Sequence, residues 1–240
     1  MLILEFTSLL ETIDPRVPRG YGGRFYGVYA ALVTEITDPE GQGRVRVKLP
    51  WSPDNEGDLY NVWARMATLM AGGNRGSWFI PDVGDEVLVC FEAGDTRRPY
   101  VVGCLWNGRD EPPETMDGGG DNNKKTIRSR NGVVITIDDG NGRESLTLKT
   151  PGGREITMKD GDQQIVIKDN GGNSVKLSPD GVTVDAGANV TINASMATIS
   201  AGMLKVDAAM SKFSGVVQAD TVISNSVIGS SYTPGAGNIW

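Results

Sequence analysis

The residues of this chain whose types and spacing could do chemistry are five carboxylates that lie close together in the sequence. Two carboxylates at a suitable separation hydrolyse glycosidic bonds by acid and base catalysis. Each of these five, however, flanks a strand-like run or a turn, where solvated acids are ordinary. We therefore expect them to be structural, and the chain not to be an enzyme. The five are Asp82, Asp85, Glu86, Glu92 and Asp95.

Histidine is absent from the sequence, which excludes Ser-His-Asp and Cys-His catalysis and histidine metal ligation. The two cysteines, Cys90 and Cys104, are too few for a disulfide framework. Both lie in apolar runs, "EVLVCFEAG" and "YVVGCLW", which we expect to pair as one hairpin. The two thiols should then be buried and reduced, although a disulfide across the hairpin stays possible. No metal ion and no cofactor is expected.

The formal net charge of −7 lacks the basic footprint of a nucleic-acid-binding protein. Three basic residues, Arg44, Arg46 and Lys48, alternate with apolar ones, which is typical of a solvated strand face. The N-terminal run "MLILEFTSLLETIDP" has no basic leader and is a poor signal peptide. No segment approaches the ~18 apolar residues that cross a bilayer. We expect a chain that is made in the cytoplasm and binds no nucleic acid.

The elements that position these residues fall into regions of different pattern. Residues 1–21 are an N-terminal arm, and residues 22–107 hold about five strand-like runs rich in aromatic residues, with no convincing helix. Such a set of strands in under about 100 residues predicts an OB-type Greek-key barrel. Residues 108–125 are polar and rich in Gly, Pro and Asn, which indicates a linker.

Residues 126–228 consist of short alternating apolar bursts separated by Asp-Gly, Gly-Gly and Pro-Asp-Gly turns. Each burst predicts a short strand with only two or three apolar residues on one face. An eight-residue register also places Val182, Val190, Thr198, Val206, Ser214 and Val222 in line. Periodic strands that cannot bury their own faces are typical of an elongated repeat fold.

Three copies wound around a common axis would cover these apolar faces, and each strand edge would pair with the next chain. We therefore predict an all-β protein, an OB-fold barrel followed by an intertwined homotrimeric β-helix needle. A single-chain β-solenoid is the competing structure, but its usual repeats of six or nine residues do not fit. The expected needle core is Ile156, Met158, Ile165, Ile167, Val175, Leu177, Val182, Val184, Val190 and Ile192.

The stretches "GRVRVKLPW" and "DVGDEVLVCFEAGDTRRPYVVGCLWNGRDEPP" resemble the OB core of contractile-tail central spike proteins. That family includes the VgrG proteins of type VI secretion, the baseplate assembly protein V of phages and the spikes of extracellular contractile injection systems. The resemblance implies a mechanical function at the baseplate centre, beneath the tail tube. Sheath contraction would drive the trimer through a target membrane that it contacts only transiently. The particle would assemble in the bacterial cytoplasm and deliver the spike outside the cell.

Departures from the family pattern imply the partners. VgrG proteins carry large hub domains before the barrel, so we expect a separate baseplate hub protein here, which residues 1–21 would grip. The linker has no room for the lysozyme domain of some phage spikes, and the chain lacks the histidines that bind iron at other needle tips.

The C-terminal tip segment, residues 229–240, ends in Asn238, Ile239 and Trp240, an apolar end that the trimer repeats three times. We expect these three residues to form a platform for a PAAR-type tip protein; aromatic plugging of the trimer core is the other interpretation. Two alternative functions stay open, a trimeric tail fibre or adhesin and a VgrG-type effector carrier of type VI secretion.

Overall fold

The computed structural model describes residues 24–53 and 59–231, without the side chain of Pro53. It separates two units, the first ending at Asn189 and the second beginning at Val190. All the regular structure in these residues is β-structure apart from one short 3-10 turn, Glu92–Gly94. This confirms the all-β class. None of the described helices is long and apolar enough to cross a membrane.

The first unit opens with a closed five-stranded barrel. Its strand order is β1-β2-β3-β7-β6, with β3 and β7 parallel and the other pairs antiparallel, as in an OB fold. The connection between β3 and β6 contains a short hairpin, in which the two-residue strands β4 and β5 pair antiparallel. The strands are β1 (Val28–Glu35), β2 (Val45–Pro53), β3 (Leu59–Met66), β4 (Ala71–Gly72), β5 (Arg75–Gly76), β6 (Glu86–Phe91) and β7 (Pro99–Leu105).

The barrel contains its own hydrophobic core. Alternate residues of each strand point inward, because successive side chains of a strand lie on opposite faces. Phe25, Tyr29 and Trp51 close one part of the core with ring centroids 4.8 to 5.7 Å apart, and the Trp51 indole donates a hydrogen bond to the carbonyl of Ala30 at 2.9 Å. The fully buried large side chains are Val33, Val45, Val47, Leu49, Val87, Val89 and Val101. The predicted OB-type barrel is confirmed.

A seven-stranded antiparallel sheet follows, in which every strand pairs with its neighbour in the chain. Its first strand begins at Lys124, inside the segment expected to be a linker. The strands are β8 (Lys124–Arg128), β9 (Val134–Asp138), β10 (Ser145–Lys149), β11 (Glu155–Lys159), β12 (Gln164–Lys168), β13 (Ser174–Ser178) and β14 (Gly181–Asp185).

Pairing within the chain differs from the expectation that each strand edge pairs with a sister chain. The reason lies in the turns, which are short enough to join consecutive strands as hairpins. Three turns of equal length carry glycine at the same position, Gly132, Gly153 and Gly172, with φ of 85°, 78° and 82°. Glycine adopts this left-handed conformation without steric cost, so these hairpins close readily. Only β8 and β14 are left as sheet edges.

The barrel and the sheet are joined by polar contacts near β8. The guanidinium of Arg130 donates to the carboxylate of Asp82 at 2.8 Å, and the Thr126 hydroxyl donates at 3.0 Å to Glu114 in the segment that connects β7 to β8. The second unit has a different character, since no strand forms in residues 190–231. The strand expected at Val190 and Ile192 is therefore not formed within the single chain.

The loop between β1 and β2 is held by one carboxylate. Asp38, whose side chain is 5% exposed, accepts hydrogen bonds from the backbone N–H groups of Glu40, Gln42 and Arg44 at 3.1, 2.8 and 3.1 Å, and forms a 2.7 Å ion pair with the Arg44 guanidinium. The side chain of Arg44 and these backbone donors hold the pKa of Asp38 well below its usual range. This contribution to stability is present above the unfolded-state pKa of about 3.9 and is lost as the pH falls toward the folded-state pKa.

Asp38→Asn should therefore lower the thermal midpoint of the barrel near neutral pH, and its deficit should shrink as the pH falls below about 4. Tryptophan fluorescence, which reports mainly on the barrel, measures the midpoint at each pH. Glu35→Gln is the control, because the Glu35 pair with Arg46 at 3.3 Å is solvent-exposed and should contribute little. A deficit for Asp38→Asn that is the same at all pH values would contradict this assignment.

Candidate subunit interface

The sheet β8–β14 gathers apolar side chains into two columns on one face. Residues paired directly across antiparallel strands lie on the same side of a sheet, and so do residues two apart along a strand. We call these two columns the apolar face. The first is Ile127, Ile135, Leu148, Ile156, Ile167, Val175 and Val184. The second is Ile137, Leu146, Met158, Ile165, Leu177 and Val182.

Eight of the ten predicted needle-core residues therefore lie together on the apolar face. The other two, Val190 and Ile192, belong to the second unit, where they are 63% and 78% exposed. The alternating bursts of the sequence identified the members of the columns, and the hairpin register aligned them.

The opposite face of the sheet is polar and better covered than the apolar face. Its central column is Thr126, Thr136, Thr147, Thr157, Val166, Lys176 and Thr183. Thr157 is 6% exposed, whereas the neighbouring Met158 of the apolar face is 42% exposed. A 3.2 Å ion pair between Lys168 and Glu155 further ties the polar face together.

This arrangement leaves the apolar face as the surface that needs a cover. A sheet in a stable protein buries its apolar face against another layer. Full burial of a single Val, Leu or Ile side chain stabilises a protein by about 1.5–3 kcal/mol. The two columns together contain thirteen apolar side chains. Covering this face would therefore add substantially to stability. The geometry is that of one wall of a multi-chain core.

Residues 190–231, the tail segment, expose a second apolar series. Its members are spaced alternately by four and three residues, and each is at least 62% exposed. This seven-residue repeat was not among the predicted patterns, although methionine recurs every seven residues at Met196, Met203 and Met210. The series is Ile192, Met196, Ile199, Met203, Val206, Met210, Phe213 and Val217.

The seven-residue repeat competes with the eight-residue register. The eight-residue register lines up Thr198 and Ser214, whereas the seven-residue repeat selects their apolar neighbours Ile199 and Phe213. Spacings of three and four also suit a coiled coil. No helix forms in residues 190–231, however, and their Ser, Thr and Gly content disfavours one.

The five clustered carboxylates each have a structural partner. Asp82 pairs with Arg130, Asp85 accepts from the backbone N–H of Asp82 at 2.8 Å, and Glu86 accepts from the Asn107 amide at 2.9 Å. Glu92 accepts from the Tyr100 hydroxyl at 3.0 Å.

The fifth, Asp95, forms a 2.7 Å ion pair with Arg97. This bond holds the pKa of Asp95 well below its usual range. The structural interpretation of the acidic cluster thus accounts for every member.

The two cysteines lie on β6 and β7, which pair as the predicted hairpin. Cys90 stands opposite Tyr100 and Cys104 opposite Val87, so the thiols are not cross-strand neighbours, and both are free. The prediction that both are buried is wrong: Cys90 is half-buried and Cys104 is exposed. More buried and more exposed residues alternate along β7, and Cys104, three residues after the buried Val101, falls on the exposed side.

The predicted tip residues Asn238, Ile239 and Trp240 lie outside the described residues. Their contact with a tip protein therefore stays a prediction.

Two family models match the chain, and together they cover more than half of it. A model described as the type VI secretion system/phage-baseplate injector OB domain matches residues 29–106, the barrel. A model described as the phage baseplate V C-terminal trimerisation domain matches residues 145–205. The second match takes in β10–β14, with most of the apolar face, and the first part of the tail segment.

Curated relatives include type VI secretion system spike proteins. VgrG4b of Pseudomonas aeruginosa is 36% identical over 94 residues, which is 36% of this chain and 12% of the relative. VgrG1a of the same organism is 30% identical over 125 residues, 46% of this chain and 19% of the relative. The actin cross-linking toxin VgrG1 of Vibrio cholerae is 30% identical over 93 residues, 35% of this chain and 8% of the relative. The chain thus spans less than a fifth of the length of these relatives.

Neighbouring residues on opposite faces of β12 test whether the apolar face is covered in the assembled protein. Ile167 of the apolar face is 47% exposed in the single chain, whereas Val166 on the polar face is partly buried. Ile167→Asp should abolish assembly, because it places a charge within a shared apolar core. Val166→Asp should disturb a single chain at least as much, yet leave the assembly intact. Light scattering after size-exclusion chromatography measures the mass of both variants. Loss of the assembly in Val166→Asp but not in Ile167→Asp would contradict the interface.

Proposed function

The chain belongs to the phage baseplate V family of contractile-tail spike proteins, and we propose that it is the central spike of a contractile injection machine. Three copies assemble through the apolar face of β8–β14 and through the tail segment. The spike lies at the baseplate centre beneath the tail tube, and sheath contraction drives it through the target envelope. Its role is structural, and no catalytic step is assigned to it.

One observation supports this function above the others. A barrel that buries its own core is followed, in the same chain, by a sheet whose apolar face is uncovered. The match of residues 145–205 to a trimerisation domain favours three copies over two. Three such sheets around one axis form a closed prism with every apolar face inside, the arrangement that a rod under axial compression requires.

The proposed spike has two partners and reaches the outside of the cell when the particle fires. A separate baseplate hub protein binds at the barrel end, and a PAAR-type tip protein binds at Asn238, Ile239 and Trp240. Deleting residues 238–240 should abolish co-purification of the co-expressed tip protein, because it removes the only large apolar side chains at the end of the chain, Ile239 and Trp240. Replacing residues 224–226, Ser-Asn-Ser, by alanines is the control. Full binding by the deletion variant would overturn the tip assignment.

A VgrG-type carrier of effectors is the second candidate, favoured by the similarity to type VI secretion spike proteins. A tail fibre or adhesin is a third, since trimeric β-rods also bind receptors. Position on the particle separates the fibre from the spike. Electron microscopy of particles that carry a tagged copy of the chain should place the tag on the tail axis at the baseplate. A peripheral tag would overturn the spike assignment.

The seven-residue repeat of the tail segment makes a prediction for the assembled rod. The unmodified chain should run as a trimer in SDS without heating, because no subunit can leave without exposing the shared core. Ile199→Asp should convert this band to monomer, whereas Thr198→Asp should leave it unchanged. A trimer that loses its SDS resistance only with Thr198→Asp would instead favour the eight-residue register.

A further inference from the structure

A groove of about 1110 Å³ lies where the barrel meets the first strand of the sheet. Its apolar centre is built by Phe79, Val83 and Trp106 from the barrel and Ile127 from β8. These side chains are 69%, 59%, 69% and 54% exposed in the single chain. An exposed cluster of apolar side chains that includes two aromatic residues is typical of a contact site. We call it the junction groove.

The junction groove is continuous with the apolar face. Ile127 lines the groove and is also the first member of the first apolar column, where it pairs with Ile135. The column therefore does not end at the sheet edge but passes onto the barrel through Val83, Phe79 and Trp106. A neighbour that covers the column also lies beside the groove.

Several polar groups around the groove have partners within the chain, whereas Glu111 and Arg128, which also line it, have no ion pair among the described residues. The 2.8 Å ion pair of Arg130 and Asp82 lies at its edge, and Asp85 accepts from the backbone of Asp82. The side-chain amide of Asn107 donates to Glu86 at 2.9 Å and to Asp110 at 3.2 Å. Burial of an unpaired charge is costly, so these internal partners lower the electrostatic cost of covering the apolar centre.

We propose that the junction groove is the barrel-level part of the subunit contact and is filled by a second copy of this chain. This inference rests on the proposed trimer and extends it, since trimerisation through residues 145–205 alone would leave the groove open. Trp106 and Phe79 are then the anchors that fix the rotation of each barrel about the axis. A hub protein that fills the same groove is the alternative occupant, which the experiment below distinguishes.

The chain carries its own reporter, because Cys104 lines the junction groove and is exposed in the single chain. In a Cys90→Ala background, Cys104 is the only thiol. Labelling by a maleimide dye should be slower in the purified trimer by roughly tenfold or more than in the unassembled Ile167→Asp chain. If that variant fails to fold, the urea-unfolded chain gives the unprotected rate. The mass of each sample is measured in parallel.

Labelling of an intact trimer at the unprotected rate would overturn the groove contact and leave the proposed trimer standing. A chain that is not trimeric by mass would overturn both. Protection that appears only after addition of the hub protein would assign the groove to the hub and overturn the contact between copies.

Two tryptophans give a matched pair for a second measurement. Trp106 lines the groove and is 69% exposed, whereas Trp78, at 75%, lies outside it. Trp106→Ala should lower the urea concentration at which the trimer dissociates, and Trp78→Ala should not. Equal behaviour of the two variants would contradict the contact.

Discussion

The rest of this structure depends on one constraint: a sheet whose hydrogen bonds are complete can still lack a hydrophobic cover. Strands β8–β14 satisfy one another through hairpin pairing, so the backbone needs nothing further except at two edges. The apolar side chains, in contrast, are not all buried within the single chain. The polar face holds the more buried residues, and the apolar face is the more exposed of the two. Since apolar burial is the main favourable contribution to folding, this face determines how the protein assembles.

From the N-terminal to the C-terminal part of the chain, each region satisfies fewer of its hydrogen bonds and buries less of its apolar surface within the single chain. The barrel has both a closed hydrogen-bond network and a buried core of its own. The sheet has paired strands but no buried core of its own. The tail segment forms no strand and leaves its apolar residues exposed. Dependence on sister chains therefore increases toward the C-terminal end. In the spike that we propose, the strength of this end would therefore come from the contacts between chains.

The fold class was predictable because the signals for it are local. Aromatic-rich strand runs without helix periodicity indicated the barrel, and alternating bursts identified eight of the ten proposed core residues now aligned on the apolar face. Register within the chain was less accessible. The same alternate residues are apolar whether strands pair between chains or as hairpins, so the sequence pattern fits both. The left-handed backbone of the turn glycines Gly132, Gly153 and Gly172 favours hairpins, and only the structure shows that conformation. Exposure of Cys104 depends on which alternate residues of β7 face inward, and a continuous apolar run does not fix that choice. The spacing of Val182 in β14 and Val190 in the tail segment suggested a period of eight, while the methionines of the tail segment repeat every seven residues.

The central claim is that sheet and tail obtain their hydrophobic interior from sister chains. The most direct test is the mass of the unmodified chain, measured by light scattering over a dilution series that ends well below the concentrations used for purification. A mass of three times 25.6 kDa at every dilution is the expected result. A folded species of 25.6 kDa with a compact hydrodynamic radius would contradict the account, because the apolar face would then be stable without a partner.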